Sequence, residues 1–193
     1  MKKNHELVEA KDEGIRGIFP VFYSFSTTHK ILTYWKDHGG NELGRVLLSP
    51  SPKLNQQLLE MNFDLIVPIP QHQERSLKRG HASAFVVANL FSRELGISIQ
   101  ADILTLNESG GPKQADLNRW ERKHGINPFR LNSDQKLAGV KILIVDDFIT
   151  SGSTLEKAAN TILREYPHCE IYAASLGWKP KTERRHSVRR RSN

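Results

Sequence analysis

Cysteine occurs once in the 193 residues, at position 169, and methionine only twice. A single thiol closes no intramolecular disulfide and builds no multi-cysteine zinc site. Cys169 is therefore expected as a small buried residue at the start of a strand, in a chain suited to a reducing cytoplasm. No stretch approaches the ~18 consecutive apolar residues that a membrane helix needs. The N-terminal MKKNHELVEAKDEG carries two lysines with no apolar run behind them, so neither a leader nor a membrane partner is expected, and the expected location is cytoplasmic. Internal repeats are missing as well. So is any His/Cys/Asp cluster with transition-metal spacing.

What is present in excess is positive charge, and it is unevenly spread. The net charge is +7. Between Lys179 and Asn193, Lys179, Lys181, Arg184, Arg185, Arg189, Arg190 and Arg191 stand against Glu183 alone, which leaves about +1 for the rest of the chain. Such a run has little to bury and is expected to be disordered. It is either a solvated tail or an electrostatic contact for a polyanion, since charge alone carries no specificity. The chain divides accordingly into a polar N-terminal segment (1–18), one domain (19–178) and the basic tail (179–193).

Within the domain, strand and helix patterns alternate. Residues 19–25 (FPVFYSF) suit a short strand. His29–His38 suits a helix stopped by Gly39-Gly40, with Ile31, Leu32 and Trp35 on one face, and short helices are expected over 41–48 and 53–61. Asp64–Pro70 is a continuous apolar run, the mark of a strand buried on both faces. Ala84, Phe85, Ala88, Phe91 and Leu95 recur at helical spacing up to Gly96, a fitting C-cap. A strand is expected over 97–106, then a long polar loop over 107–129 running into a short helix. A second buried strand covers 141–145, a helix carries Leu155, Ala158, Ala159, Ile162 and Leu163, and a third strand covers 171–176. This order implies an α/β fold with a mostly parallel sheet, whose ligands sit beyond the carboxyl ends of the strands.

The chemistry concentrates in ILIVDDFITSGST, residues 142–154. Thr150, Ser151, Gly152, Ser153 and Thr154 lie between a buried strand and a helix N-terminus, where open N–H groups and the helix dipole favour an anion. Gly152 permits close approach of the backbone, and four hydroxyls can donate to phosphate oxygens. No lysine ends the turn, so it is not a Walker A loop. Asp146 and Asp147 precede it. A phosphate alone gains nothing from two carboxylates; a sugar diol and a hard cation such as Mg²⁺ do. A receiver-like switch would use the acids for Mg²⁺ but leaves the hydroxyl-rich turn unexplained.

This segment resembles the 5-phosphoribosyl-1-pyrophosphate (PRPP) motif of type I phosphoribosyltransferases. VPIP at 67–70, Arg75 and Lys78-Arg79-Gly80 narrow the likeness to the ComF family, tied to bacterial competence and DNA uptake. Gln114, Leu117 and Arg122 follow that family's spacing, and Trp35–Gly39 resembles one of its helix ends. With one cysteine the chain has no counterpart of the family's four-cysteine zinc module, and the usual RGFNQ reads Arg79-Gly80-His81-Ala82-Ser83.

The resemblance implies a type I phosphoribosyltransferase fold, with a flexible loop or hood over the carboxyl edge of the sheet. It implies that Asp146 and Asp147 are the catalytic acids, holding the ribose hydroxyls and Mg²⁺, directly or through water, and that Thr150 to Thr154 hold the 5-phosphate. Pyrophosphate falls to Pro70, Gln71, Arg75, Lys78, Arg79 and Gly80, and the covering loop to Lys113, Gln114, Arg119 and Arg122. The implied activity is Mg-dependent transfer of phosphoribosyl from PRPP to a nitrogen acceptor that the sequence does not identify. Thr150 stands where purine-salvage members often carry an acid, which argues against that subclass. The alternative is a non-catalytic module of the same fold that binds single-stranded DNA, a DNA-processing partner or competence proteins through its basic tail. A homodimer is left open.

Overall fold

The computed structural model describes residues 8–9, 14–23, 30, 34–35, 51–72, 77, 82–107, 127–132 and 137–179. Seven strands and three helices are labelled here: β1 (Val8–Glu9), β2 (Gly17–Tyr23), α1 (Pro52–Glu60), β3 (Leu65–Pro68), α2 (Ser83–Leu95), β4 (Leu104–Leu106), β5 (Phe129–Leu131), β6 (Lys141–Ile149), α3 (Ser153–Glu165) and β7 (Glu170–Trp178). The central sheet has the order β1-β2-β7-β6-β3. Its pairs β2·β7, β7·β6 and β6·β3 are parallel, and only β1 runs antiparallel, at the edge beside β2.

β6 carries the sheet. Ile142, Leu143, Ile144 and Val145 are all fully buried, with alternate residues entering opposite cores. On one face Ile142 and Ile144 pack with Leu155, Ala158, Ala159 and Ile162 of α3. On the other, Leu143 and Val145 join Leu54 and Leu58 of α1 and Val87, Ala88 and Phe91 of α2. A strand apolar on both sides needs helices on both sides, which is why the continuous run in the sequence forecasts a three-layer α/β arrangement. The same aromatic-rich second core holds Phe63 between Phe19 and Tyr172, edge-on to each at 6.2 and 5.5 Å between ring centroids.

The helices begin and end as their sequences dictate. Ser51 caps α1, its Oγ accepting from the Leu54 N–H at 3.2 Å, with Pro52 next in line. Gly96 closes α2 in the left-handed conformation at φ 70°. Of the expected helix at 29–38 only Lys30, Tyr34 and Trp35 are described; they are helical, and Trp35 is buried in the second core. The expected helix at 41–48 and the loop residues 108–126 lie outside the described residues. Among the described residues no helix is long and apolar enough to cross a membrane. Cys169 is buried just before β7, its Sγ donating to the Leu137 carbonyl at 2.7 Å. Burial pushes its thiol up, away from the reactive thiolate.

Three expectations are corrected. The strand expected over 97–106 is instead a single bridge, Ile99 to Ile66, followed by a turn at Ala101 and Asp102 and the short β4, which pairs with β5 in a separate two-stranded sheet. Ala and Asp are poor strand formers, and Ile103 turns into the core instead of continuing the ladder. β6 does not end at Val145 but runs on to Ile149, because β7 pairs with it as far as Trp178. Asp146 and Asp147 are therefore strand residues, with the turn beginning only at Thr150. Finally, the sheet takes up part of the segment set apart as residues 1–18: Val8 and Glu9 form β1, Gly17 and Ile18 open β2, and Ile15 is buried.

Gly14 shows how tightly that N-terminal turn is fixed. Its φ is +103°, and a Cβ there would come to 3.0 Å from Leu163 Cδ1 and 3.2 Å from Asn160 Oδ1 on α3. Backbone strain and crowding act together at this position. Gly14→Ala is expected to lower unfolding stability by about 1 to 3 kcal/mol, measured by urea denaturation; an unchanged midpoint would mean that the turn does not dock on α3.

Candidate functional site

The carboxyl ends of β3 and β6, adjacent parallel strands, bring together the described residues that the sequence singles out. Pro70 and Gln71 follow β3. Asp146 and Asp147 lie in the second half of β6, and Thr150, Ser151 and Gly152 lead from β6 into α3, which opens with Ser153 and Thr154. Arg75, Lys78, Arg79, Gly80, Lys113, Gln114, Arg119, Arg122 and the tail beyond Lys179 lie outside the described residues.

The turn has the features of an anion cradle. Gly152 occupies the N-cap of α3 at φ 80°, a left-handed conformation suited to glycine, and no side-chain hydrogen bond caps the helix. The Glu156 N–H already donates to the Gly152 carbonyl, whereas the N–H groups before it belong to the first turn, which an α-helix leaves without partners of its own. Thr150 and Ser151 are exposed, and Gly152, Ser153 and Thr154 are half-buried. The Ser151 and Ser153 hydroxyls lie 2.9 Å apart, and the Ser153 N–H reaches Ser151 Oγ at 3.4 Å. Backbone donors and hydroxyls thus share one small opening at the positive end of a helix dipole.

The two acids are set differently. As neighbours on a strand they project to opposite faces of the sheet. Asp146 is half-buried on the side of α3, and one of its oxygens, Oδ1, accepts the Asp147 N–H at 2.8 Å. Asp147 is only 4% exposed, on the side of α2. Its Oδ2 accepts from Gln71 Nε2 at 3.2 Å and from the Ser83 hydroxyl in a short contact. A charge so far removed from water needs such donors. Ser83 is not among the residues that the sequence singles out. Its position just ahead of an apolar helical run looks like that of a helix cap, and only the fold reveals that its hydroxyl serves an acid 64 residues away.

The carboxylate of Asp146, half-buried in the second half of β6, is a hard oxygen donor of the kind that Mg²⁺ prefers. Among the described residues no group of three or more His, Cys, Asp or Glu side chains could hold a metal unaided. A separate cavity of about 540 Å³ lies toward the far end of α3, lined by Asn107, Asn127, Arg130, Thr161, Arg164 and Tyr166 among others. Thr161 is eight residues beyond Ser153, roughly 12 Å along the helix, so this cavity is distinct from the cradle.

Relatives bear on the same part of the chain. The DNA utilization protein YhgH of Escherichia coli strain K12 is 29% identical over 101 residues, which cover 52% of this chain and 44% of that protein. Its counterpart in Shigella flexneri is 28% identical over the same length. The chain thus spans less than half the length of these relatives. Among solved structures, the purine phosphoribosyltransferase of Pyrococcus horikoshii superposes with a TM-score of 0.42 at 16% identity, over 82% of this chain and 78% of that one. The adenine phosphoribosyltransferase of Leishmania tarentolae gives 0.41 at 10% identity, over 90% and 94%. Superpositions so loose carry no detail of the site across. The match that decides the family covers residues 81–190, more than half of the chain, and takes in α2, β6 with its two acids, the cradle and α3. The strand, the acids and the uncapped helix thus belong to one inherited unit, and the chain is a member of the phosphoribosyl transferase domain family, with that family's mostly parallel sheet flanked by helices.

Proposed function

We propose that the protein binds PRPP at the carboxyl edge of β3 and β6 and transfers its phosphoribosyl group to a nitrogen acceptor. The observation that carries this is a sequence of parts within one family domain: carboxylates near the end of β6, followed within a few residues by an open, glycine-capped helix N-terminus. The cradle of Thr150 to Thr154 takes the 5-phosphate, and the acids take the ribose diol. Pro70 and Gln71, on the neighbouring strand end, begin the stretch that takes the pyrophosphate, with Arg75, Lys78, Arg79 and Gly80 following. Lys113, Gln114, Arg119 and Arg122 cover the bound substrate and exclude water.

In the reaction the bond between C1 and the pyrophosphate oxygen breaks and a bond from C1 to the acceptor nitrogen forms. Pyrophosphate leaves with the electron pair, and the nitrogen loses its proton to solvent. No protein nucleophile is required. The chain's residues hold the ribose and compensate charge on the leaving group, so catalysis is positional and electrostatic. Mg²⁺, which Asp146 and Asp147 would hold directly or through water, would supply positive charge to the diphosphate when bound.

A second reading is favoured by the relatives described as DNA utilization proteins and by the concentration of charge beyond Lys179. It is a module of this fold that contacts single-stranded DNA or a competence partner through its basic tail, without turnover. The two readings separate experimentally.

Calorimetric titration of PRPP is expected to show Mg²⁺-dependent binding that Asp146→Asn/Asp147→Asn weakens at least about 100-fold, on the scale of two missing charge-assisted hydrogen bonds. A folded wild type that binds no PRPP sinks the proposal. Gly152→Val is expected to weaken binding of ribose 5-phosphate about tenfold or more, since a branched side chain is strained at φ 80° and its bulk fills the cradle; equal affinity would place the phosphate elsewhere. For the second reading, removal of residues 181–193 spares Lys179, whose N–H donates to the Ile149 carbonyl. Binding of an oligo-dT probe in a filter assay should then fall, and its log–log salt slope should flatten by roughly 0.7 for each phosphate that the tail no longer neutralises. Unchanged binding and slope would rule the tail out as the DNA contact.

A further inference from the structure

β4 and β5 form a two-stranded sheet apart from the central one, and where β5 meets the far half of α3 the two elements leave a cavity of about 540 Å³. Its size falls within the range of about 300 to 1,000 Å³ usual for small-molecule sites. One wall is built by hydrogen bonds. Asn107 Nδ2 donates to the Asn127 carbonyl at 2.9 Å, Asn127 Oδ1 accepts the Phe129 N–H at 3.0 Å, and Asn127 Nδ2 donates to Thr161 Oγ1 at 2.8 Å. Thr161, only 7% exposed, donates its own hydroxyl proton to the Lys157 carbonyl at 2.7 Å. These donors are occupied with one another, so they give the cavity its shape and leave its chemistry to other side chains.

What remains for a ligand is charge and an apolar lining. Arg130 of β5 and Arg164 of α3 line the cavity from two different elements, and both are exposed. Among the described residues no carboxylate pairs with Arg130. Arg164 meets Glu165 at 3.8 Å, between side chains 81% and 59% exposed, a contact that water and salt weaken to little. Glu165 lines the cavity too, so the guanidiniums of Arg130 and Arg164 stand against a single carboxylate among the described lining residues. Phe129, buried, and Leu131, half-buried, add apolar surface. Guanidiniums favour phosphate through their paired N–H donors, and apolar lining favours a ligand with a ring over a bare ion. We infer that this cavity is a second ligand site, for a small organic phosphate of nucleoside monophosphate size, its phosphate met by Arg130 and Arg164 and its base lying against Phe129 and Leu131. No group of the cradle takes part, so the site is independent of the PRPP reading.

The probe is adenosine 5′-monophosphate, titrated into the full chain and followed by proton–nitrogen NMR. The side-chain amides of Asn107 and Asn127 and the Nε–H groups of Arg130 and Arg164 report the cavity, and the backbone amides of Ser151 to Thr154 report the cradle. Saturable shifts of the cavity signals are expected. Arg130→Gln and Arg164→Gln should each weaken that binding roughly tenfold, the scale of a lost charge-assisted hydrogen bond, with unfolding curves unchanged because both positions are exposed. Glu165→Gln should tighten it about twofold or more, since an opposing charge is removed. Inorganic phosphate should bind the cavity at least about tenfold more weakly than the nucleotide, for want of a ring to bury. Shifts confined to the cradle amides overturn the site, and so does an affinity that none of the three variants alters. Equal affinity for inorganic phosphate overturns the assignment to a nucleotide. An oligo-dT arm separates the sources of the phosphate: cavity shifts with the oligonucleotide and none with the mononucleotide overturn a free ligand and assign the site to a strand.

Discussion

β6 is hydrogen-bonded to a parallel strand on each side and buried on each face, and the geometry of the carboxyl edge follows from that confinement. A strand so placed cannot twist or slip without exposing one of two cores, since a one-residue slip would exchange the faces of Ile142 through Val145. Asp146, Asp147 and the turn after Ile149 thus start from a fixed register. The amino end is pinned as well: Asp64 and Lys141 exchange bonds, with the Lys141 N–H donating to Asp64 Oδ2 at 2.7 Å and the Asp64 N–H to the Lys141 carbonyl at 2.9 Å. Lys141 Nζ also reaches the Met61 carbonyl at 3.0 Å. Rigidity on this scale is what a site needs if it works by positioning groups and not by supplying a nucleophile.

Electrostatics sets the second constraint. A helix N-terminus attracts phosphate, whereas two carboxylates just ahead of it repel the same phosphate. The fold eases the conflict at Asp147, where one carboxylate oxygen accepts from Gln71 Nε2 and from the Ser83 hydroxyl. A divalent cation bound with the proposed ligand would remove much of the remaining repulsion. The open first turn of α3 and the hydrogen-bonded carboxylate of Asp147 are therefore connected features of one charge balance.

Much of this is legible in the residues because the signals are local. Four consecutive apolar residues ahead of two acids fix a buried strand, and a glycine among hydroxyls ahead of an amphipathic run fixes a helix start; both need only neighbours in sequence. The corrected elements share a cause. Charged residues usually leave strands, so the residues alone end β6 at Val145, yet β7 pairs with Asp146 through Ser175 and again with Phe148 and Ile149, which carries the strand past both acids. The apolar ends of 97–106 suggest a strand, yet β3 offers its free edge only to Ile99, where the Gln100 N–H and the Ser98 carbonyl bond to Ile66. Ser83 is hidden in the sequence because its hydrogen bond crosses 64 positions and no periodicity encodes that.

The strand period carries a consequence for any site built on adjacent acids. Two neighbouring residues in an extended chain point to opposite faces, so a ligand lying against one face of the sheet can be met by only one of them. Both can serve a ligand directly only where it sits beyond the end of the strand. β6 continues past Asp147 to Ile149, which is buried against the α3 side, and Trp178 pairs with that last residue. Because Ile149 lies with Ile142 and Ile144 while Phe148 lies with Leu143 and Val145, the alternation of β6 changes phase just after the acids. The acids therefore stand where the regular part of the strand ends, and the donors that Gln71 and Ser83 bring to Asp147 fix that point as firmly as the ladder before it does.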